Sequence, residues 1–461
     1  MRGQVDFYQP FDMTKKELQE LRYFTVGEKL RHVMVTERKR FKEQATRAGI
    51  YIDPGLEQVI YLSLMTNSNL LSMGPQATGK SDLFYEVIRQ MMPADYMMAG
   101  CKFGCHPAKP ICDPCKTERK DVMDGKRKSI EVKLVPGSAY CTWIGARTGY
   151  NEDTLFGVHD YESSGMFDFN KFKPGELTVA YGVFGIDDFT QLLGFEEFTH
   201  FLEGKLPVTR KAGRLQQEIP IDVWVYLTGN PTEKFHKLVR ARDAFFSRVE
   251  MGAARYPKTI DEQLEIVSNH VEYKHRPSNQ KTPNVLKTPS IPNSDVLIDK
   301  HDFNDKFIVA YGASLRNTLD SQKLFTYDSR RMVSVLQYYK VLSTMGISME
   351  PLDIARLIAT QVYQRFMYTE HLDKIPKLIL LSVNEACRQV YCENLSGRSK
   401  LKKGTNSEKL EKFLNEVDKD RQFTNMSRLS EMLFGVDINK TDGKDEKKLN
   451  ISEPVLPTRW F

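Results

Sequence analysis

The sequence predicts an α/β fold, a three-layer αβα core built on a mostly parallel sheet, and three observations support this prediction. A glycine-rich loop at 74–81 lies between a short apolar strand pattern and a helical pattern. Two later apolar runs read as buried strands, and they end in polar residues, Asp187-Asp188 and Asn230. Because the carboxyl ends of parallel strands meet at one edge of a sheet, these polar groups are expected to lie near the loop.

Residues 74–81 read G-x-x-x-x-G-K-S, the pattern of a phosphate-binding loop. In a strand-to-helix turn, successive backbone N–H groups can surround a phosphate. We expect Lys80 to neutralise the β- and γ-phosphates of ATP and the Ser81 hydroxyl to bind Mg²⁺. The predicted nucleotide-binding residues are Gly74, Pro75, Gln76, Ala77, Thr78, Gly79, Lys80, Ser81 and Asp187.

The strand pattern at 181–186 ends in two acids, an arrangement that a phosphate-loop ATPase needs beside its loop. Asp187 is expected to hold Mg²⁺ through water, and Asp188 to orient the attacking water. The pattern at 223–229 ends at Asn230, before a proline, which a simple turn would also explain. The position of the acids after a phosphate-binding loop favours the functional interpretation.

Arginines follow at the end of a helical pattern, within residues 239–249. Arg248 is the first candidate, with Arg242 second, to reach the nucleotide of a neighbouring subunit and stabilise charge in the transition state. The alternative is a surface arginine that pairs with a carboxylate such as Asp243.

A cluster of cysteines, Cys101-x₃-Cys105 and Cys112-x₂-Cys115, has the spacing of a structural zinc site. Four thiolates close a tetrahedral Zn²⁺ site, and His106 is an alternative ligand to one of them. Reduced surface cysteines and a redox pair are the other interpretations, and the spacing favours zinc. We expect about one zinc ion per chain by this count of ligands.

The order of phosphate loop, double acid, Thr-Gly-Asn-Pro and Phe-Ser-Arg-Val resembles the AAA+ superfamily. Residues 153–160 and 172–177 are similar to the arrangement in the magnesium-chelatase, MoxR and PrkA-type serine protein kinase ATPases. This branch carries a hairpin insert in its second helix. The resemblance implies that Asn230 contacts the γ-phosphate and that Arg331, before a predicted helix, senses it from a helical lid. It also implies a homo-oligomeric ring, a hexamer.

Within this branch the PrkA type is favoured, because the stretch from Gly100-Cys101 to Cys115 resembles the cysteine-containing stretch of those proteins. The sequence departs from the branch at Asp188, where glutamate is usual. A shorter carboxylate reaches less far toward the water, so we expect slow ATP hydrolysis. The kinase-like region of that family has no clear counterpart near the C-terminus of this chain.

The domain organisation predicted from the pattern has five parts. They are an N-terminal helical segment at 1–54, a nucleotide-binding core at 55–272 with a zinc knuckle at 100–116 and a hairpin insert at 153–177, a linker at 273–302, a helical lid at 303–393, and a charged, partly disordered tail at 394–461. The 461 residues contain no apolar run long enough to cross a bilayer. We therefore expect a cytoplasmic protein with no membrane partner.

Three classes of function are consistent with these motifs. The first is an ATPase that remodels a protein client or inserts a metal, as in the MoxR and chelatase families. The second is a PrkA-like serine protein kinase or regulatory ATPase. The third is a nucleic-acid motor related to the MCM helicases, which the net charge of +6 and the basic run at 398–403 allow but do not select.

Overall fold

A five-stranded parallel sheet forms the centre of the first of two units, Met1–Tyr256 and Pro257–Phe461, in the computed structural model. The structure describes residues 7–145, 151–159, 172–189, 197–210, 215–231, 243–275, 303–322, 327, 329–344, 348–366, 374–393, 400–402 and 407–419. The strands of the first unit are β1 (Pro10–Thr14), β2 (Asn69–Met73), β3 (Asp95–Met98), β4 (Ser129–Val135), β5 (Cys141–Gly145), β6 (Val158–His159), β7 (Phe172–Lys173), β8 (Tyr181–Asp187), β9 (Lys205–Arg210), β10 (Leu215–Pro220), β11 (Asp222–Gly229) and β12 (Val249–Ala253).

The strand order of the central sheet is β12-β2-β11-β8-β5. Each neighbouring pair is parallel, and β2 is buried along its whole length. This confirms the predicted parallel sheet and the αβα core. The order places β2, β11 and β8 side by side, so the loop and both polar strand ends lie at the same edge.

Helices cover both faces of this sheet. On one face, Trp224 of β11 donates from Nε1 to the carbonyl of Ser68 at 2.9 Å, beside the helix Pro54–Thr66, and Tyr226 stacks on Phe84. On the other face, Phe184 of β8 packs edge to face on Phe201 of a short helix. The described helical segments of this unit are Lys15–Glu20, Val26–Thr36, Arg38–Arg47, Pro54–Thr66, Lys80–Asp82, Leu83–Ile88 in π geometry, Arg89–Met91, Asp113–Met123, Gly137–Tyr140 in 3-10 geometry, Glu152–Phe156, Glu197–Leu202 and Asp243–Phe246.

Two smaller sheets differ from the predictions. The N-terminal segment, predicted to be helical, also contains β1, which pairs with β4 in a three-stranded antiparallel sheet. β3 belongs to the same sheet, because it pairs antiparallel with β4. A hairpin that the sequence analysis did not predict, β9–β10, lies between β8 and β11 in the chain.

The predicted hairpin insert at 153–177 is described in part. Its strands β6 and β7 pair antiparallel, and β6 also pairs with β9 in the four-stranded sheet β10-β9-β6-β7. Residues 160–171 lie outside the described part of the chain.

The second unit is helical. Its helices are Ile260–His275, Phe303–Ser321, Ser329–Thr344, Pro351–Phe366, Ile375–Tyr391 and Glu408–Lys419, and the short strands β13 (Cys392–Glu393) and β14 (Lys400–Leu401) pair with each other. The sequence analysis assigned residues up to 272 to the core, whereas the helix Ile260–His275 packs within this unit. Its buried Leu264 and Val267 belong to the helical core.

Part of the charged tail is packed in this unit. The helix Glu408–Lys419 buries Leu410, Phe413, Leu414 and Val417 in the helical core, as the spacing of its apolar residues indicates. Nearly all of the predicted linker, 276–302, and the tail from 420 onward lie outside the described residues. Among the described helices, none has both the length and the apolar character that a membrane span requires.

Candidate nucleotide-binding site

The glycine-rich loop connects the end of β2, at Met73, to a helix that starts at Lys80. A side chain at Gly74 would clash with the backbone, since a Cβ there would lie 2.2 Å from the carbonyl oxygen of Ala254. Gly79 has a φ of +77°, which favours glycine, and Ala77 has a φ of 57°. Close packing beside β12 and left-handed backbone therefore shape the turn that the sequence pattern predicts.

The Lys80 ammonium lies inside the curve of this loop. Its Nζ donates hydrogen bonds to the carbonyl oxygens of Gly74, at 2.9 Å, and Pro75, at 2.6 Å. Asn230, which follows β11, accepts a hydrogen bond from the same Nζ through Oδ1, at 3.3 Å. The structure thus brings together the cation of the loop and the predicted polar residue of the adjacent strand.

Asp187, at the end of β8, faces the helix that follows the loop. Its Oδ1 accepts hydrogen bonds from Ser81 Oγ, at 3.2 Å, and from Thr228 Oγ1, at 2.5 Å. A carboxylate and a hydroxyl are hard oxygen ligands, which are the ligands that Mg²⁺ prefers. The donor set at Ser81 and Asp187 therefore fits the magnesium ion that the sequence motifs imply.

The second acid, Asp188, is exposed and has a φ of +50°. Left-handed backbone in a residue other than glycine costs about 1–3 kcal/mol and is often found at functional sites. Because this turn follows β8 directly, residue Asp188 lies at the same sheet edge as Asp187.

Arg248, the candidate for acting on a neighbouring subunit, is paired within its own chain. Its Nε donates to Glu203 Oε1 at 2.7 Å, and its Nη2 donates to the same oxygen. The hydrogen bond from Arg248 holds the pKa of the Glu203 carboxyl below its usual value. Glu203 is thus a carboxylate partner of Arg248 that the sequence analysis did not consider, and the side chain of Asp243, the carboxylate it did consider, lies outside the described part of the structure.

Two other predicted arginines are placed differently. Arg331 lies on the helix Ser329–Thr344 of the second unit and is partly exposed. Arg242 lies outside the described residues. The part of the predicted site that the structure assembles therefore belongs to the first unit.

The four clustered cysteines meet as their spacing predicts. Their Sγ atoms all lie within 4.8 Å of one another, and three of the side chains are buried. Cys105 Sγ accepts a backbone hydrogen bond from Ile111 at 3.4 Å, and Cys101 Sγ accepts one from the N–H of Cys105 at 3.5 Å. Backbone donors aimed at sulfur stabilise thiolates, which are the form that binds metal. The cluster therefore fits a zinc ion.

His106 is turned away from this cluster, so the structure does not support it as an alternative zinc ligand. Its Nδ1 accepts a hydrogen bond from the N–H of Ala108 at 3.1 Å, and its Nε2 lies 3.2 Å from Asp95 Oδ1. Asp95 also pairs with the buried ammonium of Lys29. Burial raises the pKa of Asp95, but hydrogen bonding from His106 and the charge of Lys29 outweigh it, and the net pKa is lowered.

Several site residues were not found from the sequence. Thr228 and Glu203 contact Asp187 and Arg248 through pairings that only the fold creates. Tyr256 donates a hydrogen bond from its hydroxyl to the carbonyl of Gln76 in the loop, and Ile50 packs against Gly79. Of these, only Thr228 had a local signal, because it is part of the Thr-Gly-Asn-Pro motif.

No protein-family model matches the chain, and no curated protein matches it. Among solved structures the chain is similar to NtrX from Brucella abortus, at 11% sequence identity and a TM-score of 0.31. The crystal structure of NtrX from Brucella abortus in complex with ADP is similar at 11% identity and a TM-score of 0.32. These matches cover 68% of this chain in both cases, and 58% and 56% of the two NtrX chains, which is less than two thirds of their length.

Proposed function

We propose that the chain binds ATP with Mg²⁺ at residues 74–81 and hydrolyses the ATP, as an AAA+ ATPase. The observation that carries this proposal is the meeting of four polar side chains at one sheet edge. Lys80 hydrogen-bonds Asn230, and Asp187 hydrogen-bonds Ser81, across the adjacent strands β2, β11 and β8. A cation, a neutral amide and an oxygen-rich metal site within hydrogen-bond reach of one loop suit the phosphates of a nucleotide.

Each group then has a separate role. In this proposal Lys80 and the backbone N–H groups of the loop bind the phosphates, and Asn230 contacts the γ-phosphate and the water. Asp188 orients the attacking water. Mg²⁺, held by Ser81 and Asp187, would neutralise charge on the phosphate oxygens.

We place Arg248 of one subunit at the nucleotide of the next, in a homo-oligomeric ring, as the resemblance to AAA+ proteins implies. An arginine supplied in trans stabilises the charge of the transition state without being part of the binding subunit. Hydrolysis would then alter subunit interfaces, and the inserted hairpins β6–β7 and β9–β10 are the elements available to move a client.

The test is ATP turnover measured across a series of protein concentrations, for wild type and for Lys80→Ala. We expect turnover per subunit to rise with concentration, and Lys80→Ala to turn over no ATP while it keeps the thermal stability of wild type. If wild type binds ATP but hydrolyses none at any concentration, the proposal of a motor is wrong. The short carboxylate of Asp188 would then make the chain a nucleotide-gated switch.

The client we propose is a protein, in line with the MoxR, chelatase and PrkA resemblance. A nucleic-acid motor would instead show ATPase stimulation by DNA and salt-sensitive DNA binding. A kinase would transfer phosphate to a protein in a reaction that Lys80→Ala abolishes. Comparing turnover with and without DNA at low salt, and following labelled phosphate, separates these three classes.

We also propose that Cys101, Cys105, Cys112 and Cys115 bind one structural Zn²⁺. Four thiolates fill a tetrahedral site, so no position is left for a catalytic water. Freshly prepared protein that has not met a chelator is expected to contain about one zinc per chain. Elemental analysis that finds no bound metal would contradict this proposal.

A further inference from the structure

We propose that Thr228 is a positioning residue for the divalent metal: its hydroxyl fixes the Asp187 carboxylate in the orientation that binds the ion. The inference rests on the proposed ATPase function and adds a residue to it. No residue of the motif was assigned this role from the sequence.

The position of Thr228 is fixed by the sheet. Its backbone pairs with Ser72 of β2, and the preceding residue of β11, Leu227, pairs with Ile186 of β8. The side chain therefore starts one residue beyond the last β11–β8 pair and reaches across to Asp187. Thr228 is only 1% exposed, so water does not compete with this contact.

Two hydrogen bonds hold one oxygen of the Asp187 carboxylate. Thr228 Oγ1 lies 2.5 Å from Asp187 Oδ1, and Ser81 Oγ approaches the same oxygen at 3.2 Å. The Ser81 hydroxyl is the group expected to turn toward a bound metal, whereas Thr228 has no such second role. Thr228 is thus the donor that holds Asp187 in both states. Hydrogen bonds to charged acceptors are roughly twice as strong as those between neutral groups.

The decisive variant is Thr228→Val, which replaces the hydroxyl by a methyl group of similar size. Loss of a group that orients a metal ligand typically lowers metal affinity by about 10–100-fold. We expect Thr228→Val to lose about 10–100-fold in Mn²⁺ affinity. The affinity is measured by electron paramagnetic resonance with a non-hydrolysable ATP analogue bound. Thr228→Ser keeps the hydroxyl and should restore affinity to within a few-fold of wild type. Nucleotide affinity in EDTA should be the same for all three proteins.

Ser63→Ala is the matched control. Ser63 is also fully buried, and its hydroxyl donates to the carbonyl of Ser68 at 2.6 Å. It lies on the helix Pro54–Thr66, whereas Thr228 lies on the strand beside Asp187. We expect this variant to lose thermal stability and to keep wild-type Mn²⁺ affinity. If Thr228→Val does not fold, Thr228→Ala is put through the same titration.

The outcomes separate the two proposals. If wild type binds no Mn²⁺ in the presence of nucleotide, the proposed function itself fails. If wild type binds Mn²⁺ and the valine variant binds it equally well, the positioning role is wrong while the function stands. The role is also wrong if Thr228→Ser loses as much affinity as Thr228→Val, because packing and not the hydroxyl would then matter.

Discussion

Arg248 has two possible roles. They predict losses of ATP turnover in an Arg248→Ala variant that differ enough to decide between the roles. In the first, the arginine belongs to a surface ion pair with Glu203. In the second, that pair holds a catalytic arginine which acts on the nucleotide of a neighbouring subunit. The variants Arg248→Ala and Glu203→Gln break the same ion pair from opposite sides, so they form a matched set.

The ion pair itself contributes little to stability. The two side chains are 31% and 30% exposed, and pairs in such positions contribute about 0.2–1 kcal/mol to the free energy of unfolding. We expect each variant to lower the melting temperature of its unit by at most about 4 °C, since 1 kcal/mol corresponds to about 2–4 °C in domains of this size class. This contribution has a definite pH dependence. Folding lowers the pKa of Glu203. The stabilisation by the ion pair is therefore fully present above the unfolded pKa of about 4.3, and it is lost as the pH falls through the folded pKa.

A catalytic arginine contributes much more. Supplying such a residue raises kcat by about 10³–10⁵ in phosphoryl transfer, which is about 4–7 kcal/mol of transition-state stabilisation at about 1.4 kcal/mol per tenfold. Arg248→Ala should therefore lose at least about a thousandfold in turnover if the arginine is catalytic. Glu203→Gln keeps the arginine and should retain turnover.

The assay is steady-state turnover at saturating ATP, with thermal denaturation of each variant as the control for folding. A mixture of Lys80→Ala and Arg248→Ala should regain part of the activity, because an interface can form from one intact loop and one intact arginine. Equal losses of turnover in Arg248→Ala and Glu203→Gln would refute a catalytic role for Arg248. An Arg248→Ala variant whose turnover stays within tenfold of wild type would refute it as well.

Two further predictions concern the region around the cysteine cluster. Cys112→Ser should lose bound zinc and melt at a lower temperature, whereas Cys141→Ser, which removes a buried cysteine outside the cluster, should keep the zinc; elemental analysis checks both. Asp95→Asn should lower the free energy of unfolding by about 3–5 kcal/mol in chemical denaturation, because the buried Lys29 loses its charge partner. Because folding lowers the pKa of Asp95, its contribution should be present above the unfolded pKa of about 3.9 and disappear as pH falls through the folded pKa.

The site was predictable where its chemistry is local in sequence. A phosphate-binding loop needs glycines, a lysine and a hydroxyl within one turn, so the pattern at 74–81 is sufficient to predict one there. The cysteines are also close in the chain, and their Sγ atoms converge as the spacing indicates. The two strand ends at Asp187 and Asn230 could be inferred because buried parallel strands read as continuous apolar runs.

Contacts between distant segments were not predictable in the same way. Glu203 and Arg248 are joined only because the start of the β9–β10 hairpin and the start of β12 meet in space, and no local pattern encodes that meeting. β1 was missed because it is exposed on four of its five residues, so it lacks the apolar alternation of a half-buried strand. The strand is defined instead by its pairing with β4.

β8 connects the two polar centres of the first unit, because it begins at Tyr181 and ends at Asp187. At its start, the Lys29 ammonium lies 4.6 Å from the centre of the Tyr181 ring, in the cluster that includes Asp95 and reaches the cysteine knuckle through His106. At its end, Thr228 holds the acid. Changes at the start of the strand remove buried packing and charge pairing, so they should act on the stability of the unit. Changes at the end should act on metal affinity with little loss of stability. The same strand thus provides two separable measurements, and a variant at Tyr181 that altered Mn²⁺ affinity without altering stability would contradict this division.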